Sequence, residues 1–231
     1  MKLTYYGHSC FSVAVNGKTL LFDPFISANP KASHIDVGTI AADYIFVSHG
    51  HGDHIADCVS LAKRTGAMVV AVYEVVNWLQ QNGCEKVSAM NTGGRQKFDF
   101  GTVRLTSAIH SSQLPDGSYA GNPVGFVIES TEGNFYYSGD TALTYDMQLI
   151  PAQCEPLVFC VLPIGDHFTM GVEDAIVAAD FCRCDKVVGV HYNTFPPIEI
   201  DTREAIKKFE EEEKVLLLPA IGEVIEIADE E

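Results

Sequence analysis

Val47-Ser48-His49-Gly50-His51-Gly52-Asp53-His54 packs three imidazoles and a carboxylate into residues 49–54, after a short apolar run rich in β-formers at 44–48 and before a helix-like stretch. The apolar run reads as a buried strand. Residues i and i+2 of an extended segment point the same way, so His49 and His51 can share one ion. The onset of a helix then turns the chain and aims Asp53 and His54 at a neighbouring point, where a second ion can sit. A donor set of histidine and aspartate without thiolate suits zinc first, and is compatible with manganese or iron.

Upstream, short strands are expected at 3–6, 11–15 and 19–22, with Asn16-Gly17 supplying the positive φ angles of a tight hairpin. Downstream, a helix over 55–65 closed by Gly66, a strand over 68–71 and a helix over 72–82 follow, and Asn91-Thr92-Gly93-Gly94 marks a break. The second half opens the same way, with strands at 97–100, 103–107, 124–129 and 135–138. It then alternates: strand 157–162, helix 172–181, strand 186–190, helix 202–212 and strand 215–218, with Asp201 and Glu204 forming a capping box. Two successive units of meander strands followed by β-α segments predict two sheets face to face with helices outside. The fold class is α/β (α+β), a four-layer αββα sandwich, and one domain spanning 1–231 is expected.

Two ions need more ligands than one segment offers. His110, Asp140 in Ser138-Gly139-Asp140-Thr141, and His191 each stand just beyond an expected strand, where α/β architectures place functional groups. Asp23, before Pro24, is expected to orient the cluster as carboxylates beside metal-ligating histidines do, or else to cap a turn. His8, at the end of the first strand, is either a substrate contact or proton donor, or a buried hydrogen-bonded histidine. Asp166 and His167 follow the 157–162 strand and belong on the same rim, with His167 read as an exposed loop residue. Gly93-Gly94 lacks the pattern of a phosphate-binding loop and reads as a turn.

The 15 Lys and Arg against 31 Asp and Glu leave a net charge of −16, which repels phosphate backbones, and no basic patch relieves it. Nucleic acid is therefore not an expected partner. The Glu210 to Glu213 run is read as a solvated helix end, and Ala228-Asp229-Glu230-Glu231 as a frayed tail. Seven cysteines without framework spacing indicate free thiols in a reducing compartment, so the cytoplasm is the expected location. Cys10 and Cys58 lie near the motifs but lack a free partnering base, and Cys182 and Cys184 lack further metal-type cysteines; all four are read as packing residues. The first residues lack the apolar centre of a signal peptide, and no apolar run approaches the ~20 residues needed to span a bilayer. The expected partner is a small molecule, without membrane, and homo-oligomerisation is left open.

These segments together resemble the metallo-β-lactamase superfamily, and in particular its metal-dependent hydrolase branch related to ascorbate-phosphate lactonase. The resemblance rests on Tyr6-Gly7-His8-Ser9, Phe22-Asp23-Pro24, the 49–54 cluster, 91–94, 138–141, Leu162-Pro163-Ile164-Gly165-Asp166 and His191-Tyr192-Asn193-Thr194. It implies that His49, His51 and His110 hold one metal, that Asp53, His54 and His191 hold the other, and that Asp140 bridges them. It also places Asp166 near the metals without a defined role. The redox branch usually carries Glu where His51 stands, which argues against di-iron oxygen chemistry. The expected activity is attack by a metal-bridging hydroxide on a small, anionic ester or lactone, with Asp53 also able to take up a proton. Phosphodiester hydrolysis is the alternative. A metal-binding module without turnover is disfavoured, because this ligand set leaves coordination positions open.

Overall fold

The computed structural model describes residues 1–228. The acidic tail lies, from 229 onward, outside the described residues. The first half runs through β1 (Lys2–Gly7), β2 (Cys10–Val15), β3 (Lys18–Phe22), β4 (Tyr44–Phe46), α1 (Gly52–Ile55), α2 (Cys58–Thr65), β5 (Met68–Val72), α3 (Tyr73–Gln81) and β6 (Val87–Met90). The second half supplies β7 (Arg95–Lys97), β8 (Thr102–Ser107), β9 (Val124–Ser130), β10 (Gly133–Tyr137), β11 (Leu157–Pro163), α4 (Val172–Cys182), β12 (Lys186–Val190), α5 (Thr202–Glu211), β13 (Val215–Leu217) and β14 (Val224–Glu226).

Two seven-stranded sheets result, ordered β14-β1-β2-β3-β4-β5-β6 and β13-β12-β11-β10-β9-β8-β7. From β14, the first sheet runs through antiparallel pairings to β3 and then parallel pairings to β6. From β7, the second does the same, antiparallel to β10 and parallel to β13. The duplication that element order suggested is therefore present in strand pairing, with β14 from the far end of the chain occupying the place that β7 holds in the other sheet.

The period of two along β10 separates the layers. Phe135 and Tyr137 face the core shared with Phe11, Phe22 and Phe46 of the first sheet. Tyr136, between them, faces Ala175 and Ala179 of α4 and Phe209 of α5. On the outer face of the first sheet, Leu61 of α2 and Val75 and Leu79 of α3 close the remaining layer. The αββα order is thus the one expected.

Two local expectations are corrected, and three elements are added. The helix over 55–65 is two pieces, because the Asp57 carboxylate turns back to accept from the amides of Ile26 and Ser27, at 2.6 and 2.9 Å. The strand over 97–100 begins and ends earlier, at Arg95–Lys97, since the Phe98 amide closes a turn onto Gly101 O at 2.7 Å. The strands β6 and β14 and a 3₁₀ helix over Tyr145–Ala152 were not foreseen.

Candidate metal centre

The cluster after β4 is held by both sheets: the Val47 amide donates to Val70 O of β5, and Ser48 O accepts from the Val124 amide of β9. His51 is still extended, with φ −65° and ψ 147°, so the same-side relation with His49 holds, and His49 Nε2 lies 2.9 Å from His51 Nδ1. Gly50 between them is required, because a Cβ there would lie 2.5 Å from the Ala120 side chain and 2.9 Å from Gln113 O. The single turn of α1 then sends His54 inward and leaves Asp53 partly exposed.

Among the described residues three groups of potential ligand atoms converge, each within 4.8 Å; two are separate sets, His49, His51 and His110 in one and His8, Asp53, His54 and His191 in the other, while the third, Asp23, His49 and His54, overlaps both. Asp140 joins them, its Oδ2 standing 3.0 Å from His191 Nε2, 3.2 Å from His54 Nε2 and 3.7 Å from His110 Nε2. All seven residues singled out as ligands meet here. Gly139, at φ 62°, turns the chain into Asp140, and a Cβ there would lie 2.6 Å from Val124 O. His8, Asp23 and His191 also sit at positive φ, a conformation rare outside glycine that persists where surrounding structure imposes it.

The electrostatics follow from burial among unlike charges. Burial drives the pKa of His49, His51 and His110 down, keeping them neutral with lone pairs available. Burial also lowers His8, to about 4. His54 is the exception: burial pulls it down, but the carboxylates of Asp140 and Asp23 outweigh this and hold it well above its usual value. For Asp140, His54 and His191 overcome burial and keep the carboxyl well below its ordinary range. Asp53 is likewise lowered, against burial, by His8 and His54.

A metal cation fits this set. His54 Nε2, Asp140 Oδ1 and His191 Nδ1 are buried with no hydrogen-bond partner among the described residues, a costly arrangement that a cation relieves at the first two. The outer ring nitrogens are already used where the inner ones converge. His54 Nδ1 donates to Asp23 Oδ2 at 2.8 Å, and His49 Nδ1 donates to Ser48 Oγ at 3.0 Å, so both present Nε2 inward. Ser111 Oγ stands 3.4 Å from His51 Nε2, which leaves His51 Nδ1 as the inner atom.

Residues 18–192 match the family described as the beta-lactamase superfamily domain. The chain belongs to the beta-lactamase superfamily. A UPF0173 metal-dependent hydrolase of Flavobacterium johnsoniae is 52% identical over 227 residues, covering 98% of this chain and 100% of that relative. Among solved structures, the metallo hydrolase Igni18 of Ignicoccus hospitalis superposes with a TM-score of 0.86 at 35% identity, over 97% of both chains. An isothiocyanate hydrolase from Delia radicum gut bacteria shares the fold, with a TM-score of 0.76 at 21% identity over 99% of this chain and 100% of that one. The protein is a metal-dependent hydrolase of the superfamily, with the metallo-β-lactamase fold.

In this superfamily member, the other sequence-selected residues take definite places. Asp23 accepts four hydrogen bonds and is fully buried, in keeping with an orienting carboxylate. His8 is buried: its Nδ1 is 3.0 Å from Thr194 Oγ1, and its Nε2 is 3.3 Å from Asp53 Oδ2, a polar contact without hydrogen-bond alignment. Asp166 and His167 are exposed and stand outside both ligand sets. Their loop follows β11, the counterpart of β4, but both residues are at positive φ and the loop is tied to Thr141 through the Met170 amide. Gly93 and Gly94 form a turn closed on Asn91 O. Cys10, Cys58, Cys182 and Cys184 are buried packing residues. Sequence reasoning missed Ser48 and Tyr137, which both donate to Asp23; their positions next to the cluster and to Ser138-Gly139-Asp140 were the available signal.

Proposed function

We propose that the protein hydrolyses a small anionic ester or lactone with two divalent cations, zinc in first place, held by His49, His51 and His110 on one side and Asp53, His54 and His191 on the other. The observation that carries this reading is Asp140, whose Oδ2 faces histidines of both ligand sets. When bound, the cations polarise the scissile carbonyl and lower the pKa of water from 15.7 to about 7. The chain does the rest. Asp23 and Ser48 fix the histidine tautomers, and Asp53, kept ionised at the partly exposed side of the site, would hold its cation and accept a hydrogen bond from the attacking water. His8, neutral above about pH 4 and tied through Nδ1 to Thr194 Oγ1, lines the site beside Asp53.

The strongly acidic chain supports a compact substrate over a polymer, since nucleic acid would lay many phosphates on a surface of net charge −16. Seven free cysteines support a reducing compartment, the cytoplasm. Among the described residues, no helix is long and apolar enough to cross a membrane. The test is turnover of sugar lactones, carboxylic esters, small phosphodiesters and oligonucleotides by zinc-loaded protein. Lactone or ester hydrolysis abolished by His51→Ala supports the reading; turnover confined to phosphodiesters or oligonucleotides overturns the substrate class.

A further inference from the structure

Tyr137 ends β10 in the second sheet, yet its hydroxyl donates to Asp23 Oδ2, beyond β3 of the first sheet, at 2.5 Å. Both side chains are fully buried. Burial first, and the nearby charges of Asp23 and Asp140 second, push the phenol pKa well above its usual value, so the group stays protonated and donates. The same carboxylate oxygen accepts from Ser48 Oγ at 2.6 Å and from His54 Nδ1 at 2.8 Å, while Oδ1 accepts the Ser48 amide at 2.7 Å. Because the Ser48 hydroxyl gives its one proton to Asp23, its oxygen is free to accept from His49 Nδ1 at 3.0 Å.

One carboxylate therefore sets the tautomer and ring direction of two histidines, one from each ligand set: His54 directly and His49 through Ser48. Tyr137 is the donor to that carboxylate that comes from the opposite sheet. The segment that begins with Tyr137 also delivers Asp140 between the two sets. The geometry points to Tyr137 as a positioning residue for the metal centre: its hydroxyl orients Asp23 so that His49 and His54 present Nε2 to their cations, and it thereby sets the affinity of both sites together. Loss of the hydroxyl removes one of three donors to Oδ2 and the one from the second sheet, so Asp23 keeps its Ser48 and His54 bonds but loses the tie that fixes its angle to both rings.

The experiment titrates zinc into metal-free wild type, Tyr137→Phe and Tyr136→Phe against a chromophoric chelator, with circular dichroism confirming the fold of each. Tyr136 is the matched control, equally buried on the adjacent position but facing the other core. Tyr137→Phe is expected to weaken zinc binding by about 10-fold, the lower end of the range for groups bonded to a metal ligand, since Tyr137 acts one hydrogen bond further out. Tyr136→Phe should bind as wild type does. Unchanged zinc affinity in Tyr137→Phe, or an equal loss in Tyr136→Phe, overturns the proposal. Should Tyr137→Phe not fold, Ser48→Ala decides, since it cuts the path from Asp23 to His49; unchanged affinity there also overturns it. The inference uses the two-ion reading, and the wild-type titration reports stoichiometry independently, so a one-ion protein is recognised without reference to the mutants.

Discussion

His54 stands between two buried carboxylates, with Nδ1 2.8 Å from Asp23 Oδ2 and Nε2 3.2 Å from Asp140 Oδ2. In the metal-free protein this arrangement favours the imidazolium, because the carboxylates of Asp140 and Asp23 outweigh burial and raise the His54 pKa. A cation at Nε2 takes the place of that proton. Metal uptake near neutral pH is therefore expected to release protons, and affinity to rise with pH until the metal-free His54 is itself deprotonated. Calorimetric titration of zinc in two buffers of different ionisation enthalpy measures the release. Equal heats in both buffers would show that no proton leaves.

The shared position of Asp140 gives distinct outcomes for three substitutions. His51→Ala should remove one ion per chain, and His191→Ala should remove the other. Asp140→Ala should weaken both, because its carboxylate faces both ligand sets. Metal analysis after extensive dialysis distinguishes these; two ions retained in Asp140→Ala would separate that residue from the centre.

The legible part of this protein was the part encoded locally. The 49–54 cluster names itself by composition, and His110, Asp140 and His191 could be found because each follows a strand strong enough to be read. What escaped depends on distant partners. The strand β14 has a half-exposed pattern and forms because Glu226 pairs with Lys2 at the other end of the chain. Ser48 and Tyr137 look like ordinary strand-end residues until Asp23 is placed between them. Asp166 follows the strand that matches β4 in the second sheet, and its side chain is exposed and lies outside both ligand sets.

Gly50 offers a test of how the loop over His49 and His51 is seated. A methyl at this position would lie 2.5 Å from the Ala120 side chain and 2.9 Å from Gln113 O, and neither is the end of a flexible group. The loop carrying Gln113 and Ala120 must shift, and overpacking of this kind costs about 1–3 kcal/mol. Gly50→Ala is expected to lower thermal stability and zinc affinity together, since the displaced loop continues from His110 and its Ser112 hydroxyl accepts from the Gly50 amide. Wild-type stability and affinity in this variant would show that the loop yields freely.

The last prediction concerns what remains when the metal is taken away. The core contains large side chains with no solvent exposure, including Phe22, Phe46 and Phe126 between the sheets, and its packing does not pass through the ligands. A chain of this size buries enough apolar surface to fold without a cation, unlike small metal-stapled domains. Thiols report this directly. Six of the seven cysteines are buried, and the remaining one, Cys154, is half-buried with its pKa raised to about 11, first by burial and then by Glu129. Hydrogen bonding from Cys160 lowers Cys184, but only 3% of that residue reaches solvent. A disulfide reagent at mildly alkaline pH should therefore label the native protein slowly, with all seven thiols reacting only in denaturant. Chelation is expected to abolish hydrolysis while leaving labelling slow. Rapid reaction of several thiols on chelation alone would mean that the metals hold the fold together, and rapid reaction of one thiol with loss of activity while metal stays bound would return cysteine to the mechanism.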